Sequence, residues 1–162
     1  MLRNLEIPFL LCATIAAAST ARADMVIEWN KTIYDVIQSD GTKPVHKADP
    51  GWSTRSIAML NGAIYDVFQA VNRTHAPYKA NMHAPANTSL EAAVHQAAYE
   101  ILYHCYPDEQ PMLQAAYNAW MDPGVIPDGA AKTNGINLGH SIAHHYKIWR
   151  TNDNADENIQ YT

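Results

Sequence analysis

The segment Gly139-His140-Ser141-Ile142-Ala143-His144-His145 carries three of the chain's eight histidines. His140 and His144 are four residues apart, which on a helix sets both imidazoles on one face, as two ligands of a transition metal would require. His145 points about 100° away from His144 and does not join them. A zinc-protease helix places its general-base glutamate directly after the first histidine, and position 141 is serine. The adjoining turns offer no Asp, Glu or Cys on that face, and Lys147 would repel a cation. The pattern predicts exposed or hydrogen-bonded histidines and no metal.

Cys105 beside His104 has the composition of a nucleophile and its base, yet adjacent helical residues diverge by about 100°. Cys105 falls on an apolar stripe, which predicts a buried structural thiol. Asp66 lies on the polar back of its helix, and Arg55, eleven residues earlier, is about 16 Å away along one helix axis. Asp66 therefore reads as a structural carboxylate. Gly135, Gly139 and Ala143 recur every four residues, a stripe that lets another helix approach closely. No residue is assigned as catalytic, cofactor-binding or metal-binding. Asn30, Asn72 and Asn87 open glycosylation acceptor triplets, which matter only in a host that glycosylates.

Five helical segments must position these residues. Val26, Trp29, Ile33 and Ile37 share a stripe in the first, Met25 to roughly Gln38. The second runs from a Ser53 N-cap to about Asn72, with Ile57, Leu60, Ile64, Val67, Phe68 and Val71 on one face. Its back carries Ala58, Gly62 and Asp66, small and polar, which predicts burial on two sides. Residues 74–87 contain Pro77 and Pro85 without periodicity and read as a loop. Thr88-Ser89-Leu90-Glu91 is a capping box that opens the third helix, with Leu90, Val94, Ala97, Ile101, Leu102 and Cys105 inward. Pro107 ends it. The fourth spans Glu109 to Met121, and the fifth starts after Gly129 and continues to about Thr151. Alternating β-branched runs are lacking. The fold class is all-α, a helical bundle.

The chain opens MLRNLEIPFLLCATIAAASTARA. A basic start, a short apolar run and Ala21-Arg22-Ala23 form a signal peptide over residues 1–23, which predicts an exported protein, periplasmic or extracellular. Leu10 and Leu11 precede Cys12 where a lipoprotein signal needs a small residue. The mature chain, 24–162, is of a size for one domain. Loss of Arg3, Glu6 and Arg22 makes it one unit more negative than the −5 of the full chain. That balance argues against nucleic acid and anionic lipid as partners. No apolar stretch beyond the signal is long enough to span a membrane. Cys105, the single cysteine left, can form no disulfide within the chain.

The order of segments adds a resemblance. Trp29-Asn30 comes first, then Arg55-Ser56-Ile57-Ala58 running into Ala63-Ile64-Tyr65-Asp66 and Val71-Asn72. Ser89, Ala92-Ala93, Gln96-Ala97-Ala98-Tyr99 and Leu102 follow, closed by Tyr106-Pro107. Gly135, Gly139, Ala143, Arg150 and Asp153 complete the series. Together they resemble the N-terminal helical portion of secreted vanadium-dependent haloperoxidases, in the type 2 phosphatidic acid phosphatase superfamily, across nearly all of the mature chain.

The resemblance implies a larger two-bundle fold. In full-length relatives vanadate sits in a cradle built from Lys-x6-Arg-Pro, Pro-Ser-Gly-His and Ser-Arg-x3-Gly-x-His, whose cations and N–H groups neutralise an oxyanion. This chain has none of the three motifs: it lacks any Arg-Pro dipeptide, and Asn137-Leu138 stand before Gly139-His140. The expectation is a scaffold portion that binds no cofactor of its own, with vanadate held only in a full-length relative. Its expected partner is a C-terminal catalytic bundle, in the same or a neighbouring reading frame. Self-association of the isolated chain into a homo-oligomer would follow from its uncovered face. An acid phosphatase of the same superfamily is the near alternative, and a non-catalytic exported helical binding module the more distant one.

Overall fold

The computed structural model describes residues 25–44 and 47–155. The signal peptide reading, with Cys12, lies outside the described residues, as do residues 156–162. Five α-helices and one short 3₁₀ turn make up the fold, and among the described residues there is no strand. The all-α expectation is what the structure shows. None of the described helices is long and apolar enough to cross a membrane.

Helix α1, residues 25–40, buries Met25, Trp29, Ile33 and Val36. Steps of three and four residues keep these on one stripe, while Ile27 and Tyr34 stay outside. Val26 and Ile37, read as stripe members, pack against its margin.

Helix α2, Pro50–Asn72, starts three residues before the expected cap. Asp49 is the N-cap, its Oδ1 accepting from Trp52 N at 2.9 Å, and Pro50 occupies the first turn, where a missing N–H costs nothing. Met59, Leu60, Ala63, Ile64 and Val67 form its buried face. Ile57, placed in that face by sequence, is 40% exposed.

Helix α3, Leu90–Cys105, is capped by Ser89, whose Oγ accepts from Ala92 N at 3.1 Å. The expected cap Thr88 instead donates its hydroxyl to Pro85 O. Small and apolar residues are buried around nearly the whole of α3, from Leu90 to Cys105, so it is the central helix, packed by α2, by α4 and above all by α5. The turn Pro107–Glu109 leads into α4, Gln110–Met121, a peripheral helix that buries Leu113 and Met121. Helix α5, Ala130–Trp149, follows Gly129, whose φ of 145° is a conformation side chains disfavour.

The α3–α5 seam is where the small-residue stripe lies. A Cβ on Gly135 would stand 2.5 Å from Ser89 O and 2.8 Å from Ala92 Cβ. One on Gly139 would overlap the carbonyl oxygen of Ala93 and approach Gln96 Cβ at 2.8 Å. Ala143 is buried in the same row. Both glycines let backbone meet backbone, as the spacing predicts.

Candidate functional site

Of the α5 histidines, His140 is brought to a carboxylate that the sequence of α5 does not reveal. Glu100, one helix away on α3, lies with Oε1 2.7 Å from His140 Nδ1. Its other oxygen accepts from Lys147 Nζ at 2.6 Å, and Gln96 Nε2 donates to Oε1 at 2.8 Å. Burial opposes ionisation of Glu100, but the bonds from Lys147, Gln96 and His140 outweigh it and hold the carboxyl below its ordinary range. His144 stacks on His140, their ring centroids 6.1 Å apart, and His145 is half-buried. Among the described residues no group of three or more His, Cys, Asp or Glu side chains is arranged to hold a metal ion.

Cys105 is fully buried at the end of α3, and burial pushes its thiol upward, away from the reactive thiolate. His104 is exposed. The pair is adjacent in sequence and separated by environment.

Asp66 is buried and fully engaged. Its Oδ1 accepts from Tyr78 N at 2.6 Å, and its Oδ2 from Lys79 N at 2.9 Å and Ala80 N at 2.6 Å. Tyr146 Oη on α5 donates to the same Oδ2 at 2.8 Å. Burial and this neighbouring carboxylate push the Tyr146 phenol far above its ordinary value. Asp66 therefore clamps the loop after α2 onto α5. Arg55 does not touch it. Instead, Arg55 Nε donates to Asp153 Oδ2 at 2.7 Å and Nη2 to Arg150 O at 3.0 Å, joining α2 to the turn after α5.

His95 is a functional-looking group that sequence reasoning missed. It is buried on α3, its Nδ1 accepting from Trp29 Nε1 at 2.8 Å, with the Trp120 ring stacked on it at 4.8 Å. Burial lowers its pKa to about 4, so the imidazole is neutral near pH 7. Both tryptophans come from other helices, and no spacing within α3 signals them.

The clearest concave feature is a groove of about 660 Å³ along the back of α2. Ala58, Gly62, Tyr65, Tyr78, Trp149 and Arg150 are among the residues that line it. Ala58 is exposed, Gly62 half-covered and Asp66 buried, so the two-sided burial expected for α2 holds only toward its C-terminal half. Tyr146 lies directly beneath Gly62, where a Cβ would meet its Oη at 2.9 Å. Trp149 meets Tyr78 edge-on at 6.2 Å and Tyr146 at 5.8 Å, which fixes an aromatic wall.

No family model, curated protein or solved structure matches this chain.

Proposed function

We propose that this chain is the scaffold portion of an exported, vanadium-dependent haloperoxidase-like protein. In this reading, peroxide-dependent halide oxidation belongs to a C-terminal catalytic bundle. The observation that supports it is where the resemblance positions fall. Gly135, Gly139 and Ala143 lie in the α5 seam against α3, where Ala92, Ala93 and Gln96 meet the glycines. Arg55, Arg150 and Asp153 form one ion-pair cluster, and Asp66 holds a loop. These residues position helices and leave no side chain committed to a reacting group.

The residues present do not fit vanadate. The two arginines that converge, Arg55 and Arg150, do so on the Asp153 carboxylate, which occupies the place an oxyanion would need between them.

The mature chain, assayed with vanadate, peroxide and bromide against a dye acceptor, is expected to show no turnover. Supplied with a downstream segment carrying Pro-Ser-Gly-His, read from the coding DNA beyond Thr162, it is expected to gain vanadate-dependent turnover. Turnover by the chain alone that disappears in a His140→Ala, His144→Ala variant would overturn the scaffold reading. An aryl phosphate in the same preparations tests the acid phosphatase alternative. The open groove favours a second reading, an exported binding module.

A further inference from the structure

The groove behind α2 has the size of a small-molecule site, and its lining divides into two kinds of chemistry. Aromatic and small apolar groups dominate it: Tyr65, Tyr78 and Trp149 stand over a floor of Ala58 and Gly62. Binding pockets combine such apolar walls with a few placed polar groups. Here the placed group is Arg150. Its Nε lies 2.7 Å from Asp153 Oδ2 but off the line needed for a hydrogen bond. Arg55 takes that carboxylate in better geometry, Nε to Oδ2 at 2.7 Å, and its side chain is only 9% exposed. Asp153 is held ionised: burial opposes this, but the Arg55 hydrogen bond, the Ala155 N–H and the charges of both arginines prevail.

Two guanidiniums thus share one carboxylate, and the surplus positive charge belongs to the more exposed of them, Arg150, whose side chain is 32% open. Its guanidinium carbon lies 5.3 Å over the Trp149 ring, so the charge is held against the aromatic wall.

We propose that this groove binds a small aromatic monocarboxylate, its ring against Trp149 and Tyr78 and its carboxylate on Arg150. The Arg150 guanidinium left over from the Asp153 pair offers one site for a carboxylate, with the Lys79 ammonium 4.5 Å from the Trp149 ring centre adding positive charge beside the same wall. A flat ring matches walls that are themselves rings over a floor with almost no side chains. The proposal does not depend on the scaffold reading, and its failure would leave that reading untouched.

The test is calorimetric titration of the mature chain with 3-indolepropionate and with its neutral amide. The acid is expected to bind about tenfold more tightly, the worth of one charge-assisted pair. Arg150→Gln is expected to remove that difference while leaving the amide's affinity in place. Ala58→Phe, at an exposed position on the helix surface, is expected to weaken both ligands about tenfold by filling the floor. Circular dichroism melts confirm that each variant is folded.

Equal affinity for acid and amide, or an acid preference that survives Arg150→Gln, would overturn the proposal. So would an absence of saturable binding at millimolar acid. Self-association of the chain that Ala58→Phe abolishes would assign the groove to a second copy and overturn it as well.

Discussion

At the scale of single residues, two buried polar groups shape the molecule's response to change. Asp66 accepts four hydrogen bonds, three of them from consecutive backbone N–H groups of residues 78–80. Asparagine would turn an amide NH₂ toward at least one of those donors. Asp66→Asn is expected to cost about 2–4 kcal/mol in urea denaturation, since buried donors are left unmet. His95 sets a pH dependence. Its pKa is about 4 in the fold against the ordinary 6.5, so above pH 6.5 it is neutral in both states and its contribution is full. As pH falls below 6.5 the unfolded chain takes up the proton first, and stability declines until the folded imidazole also protonates near pH 4. The loss across that window is about 3 kcal/mol, and urea midpoints measured at several pH values should show it. His95→Gln keeps an acceptor for Trp29 and should flatten the curve.

At the scale of elements, the α3–α5 seam decides whether the bundle closes. Alanine is a better helix former than glycine by about 1 kcal/mol, so on propensity alone Gly139→Ala would stabilise α5. The steric term has the opposite sign, because the new methyl overlaps the Ala93 carbonyl, which belongs to helix backbone and cannot swing aside. Gly139→Ala is therefore expected to destabilise by on the order of 1–3 kcal/mol in thermal or urea melts. As a control on the same helix, changing both His140 and His144 to Gln should shift stability by no more than about 0.5 kcal/mol, since the Glu100 partner holds a largely exposed His140.

The first three helices were legible in the sequence because each carries a periodic apolar stripe, the last two because Pro107 and Gly129 punctuate the chain before them, and the Gly135–Gly139–Ala143 row announced a close approach. Two caps lie elsewhere than the sequence predicts. Asp49 precedes a proline that starts α2, and Ser89 wins over Thr88 because Thr88 turns back to Pro85. What the sequence could not show are groups whose partners sit on other elements: Glu100 under His140, Trp29 and Trp120 around His95, and the loop residue Tyr78 beside Trp149. Those pairings are set by how the helices dock, which periodicity within one helix does not encode.

At the scale of the whole molecule, residues far apart in sequence are fastened at two places on α2. Asp66 joins its later turns to the loop of residues 78–80 and to Tyr146, and Arg55 joins its first turns to Asp153, 98 positions away. The second fastening rests on the Arg55 guanidinium, which bonds both the Asp153 carboxylate and the Arg150 carbonyl, whereas the Arg150–Asp153 pair lies within the turn itself. Asp153→Asn is expected to cost about 2–3 kcal/mol and to leave Arg55 poorly compensated. Amide hydrogen exchange should place the change locally, with protection lost in the last turn of α5 while the central turns of α3 keep theirs. Uniform loss across the bundle would mean that the ion pair holds the whole fold rather than its edge.

The burial of Cys105 has a practical consequence. A side chain with no accessible surface, at the end of the helix that every other layer covers, is alkylated only when that layer parts. With Cys12 changed to Ser, the rate of maleimide capture in native buffer becomes a stopwatch for opening of the core. Slow capture that follows urea in step with global unfolding would mark α3 as the last part to let go. Fast capture in water would reveal a breathing motion that no equilibrium melt resolves.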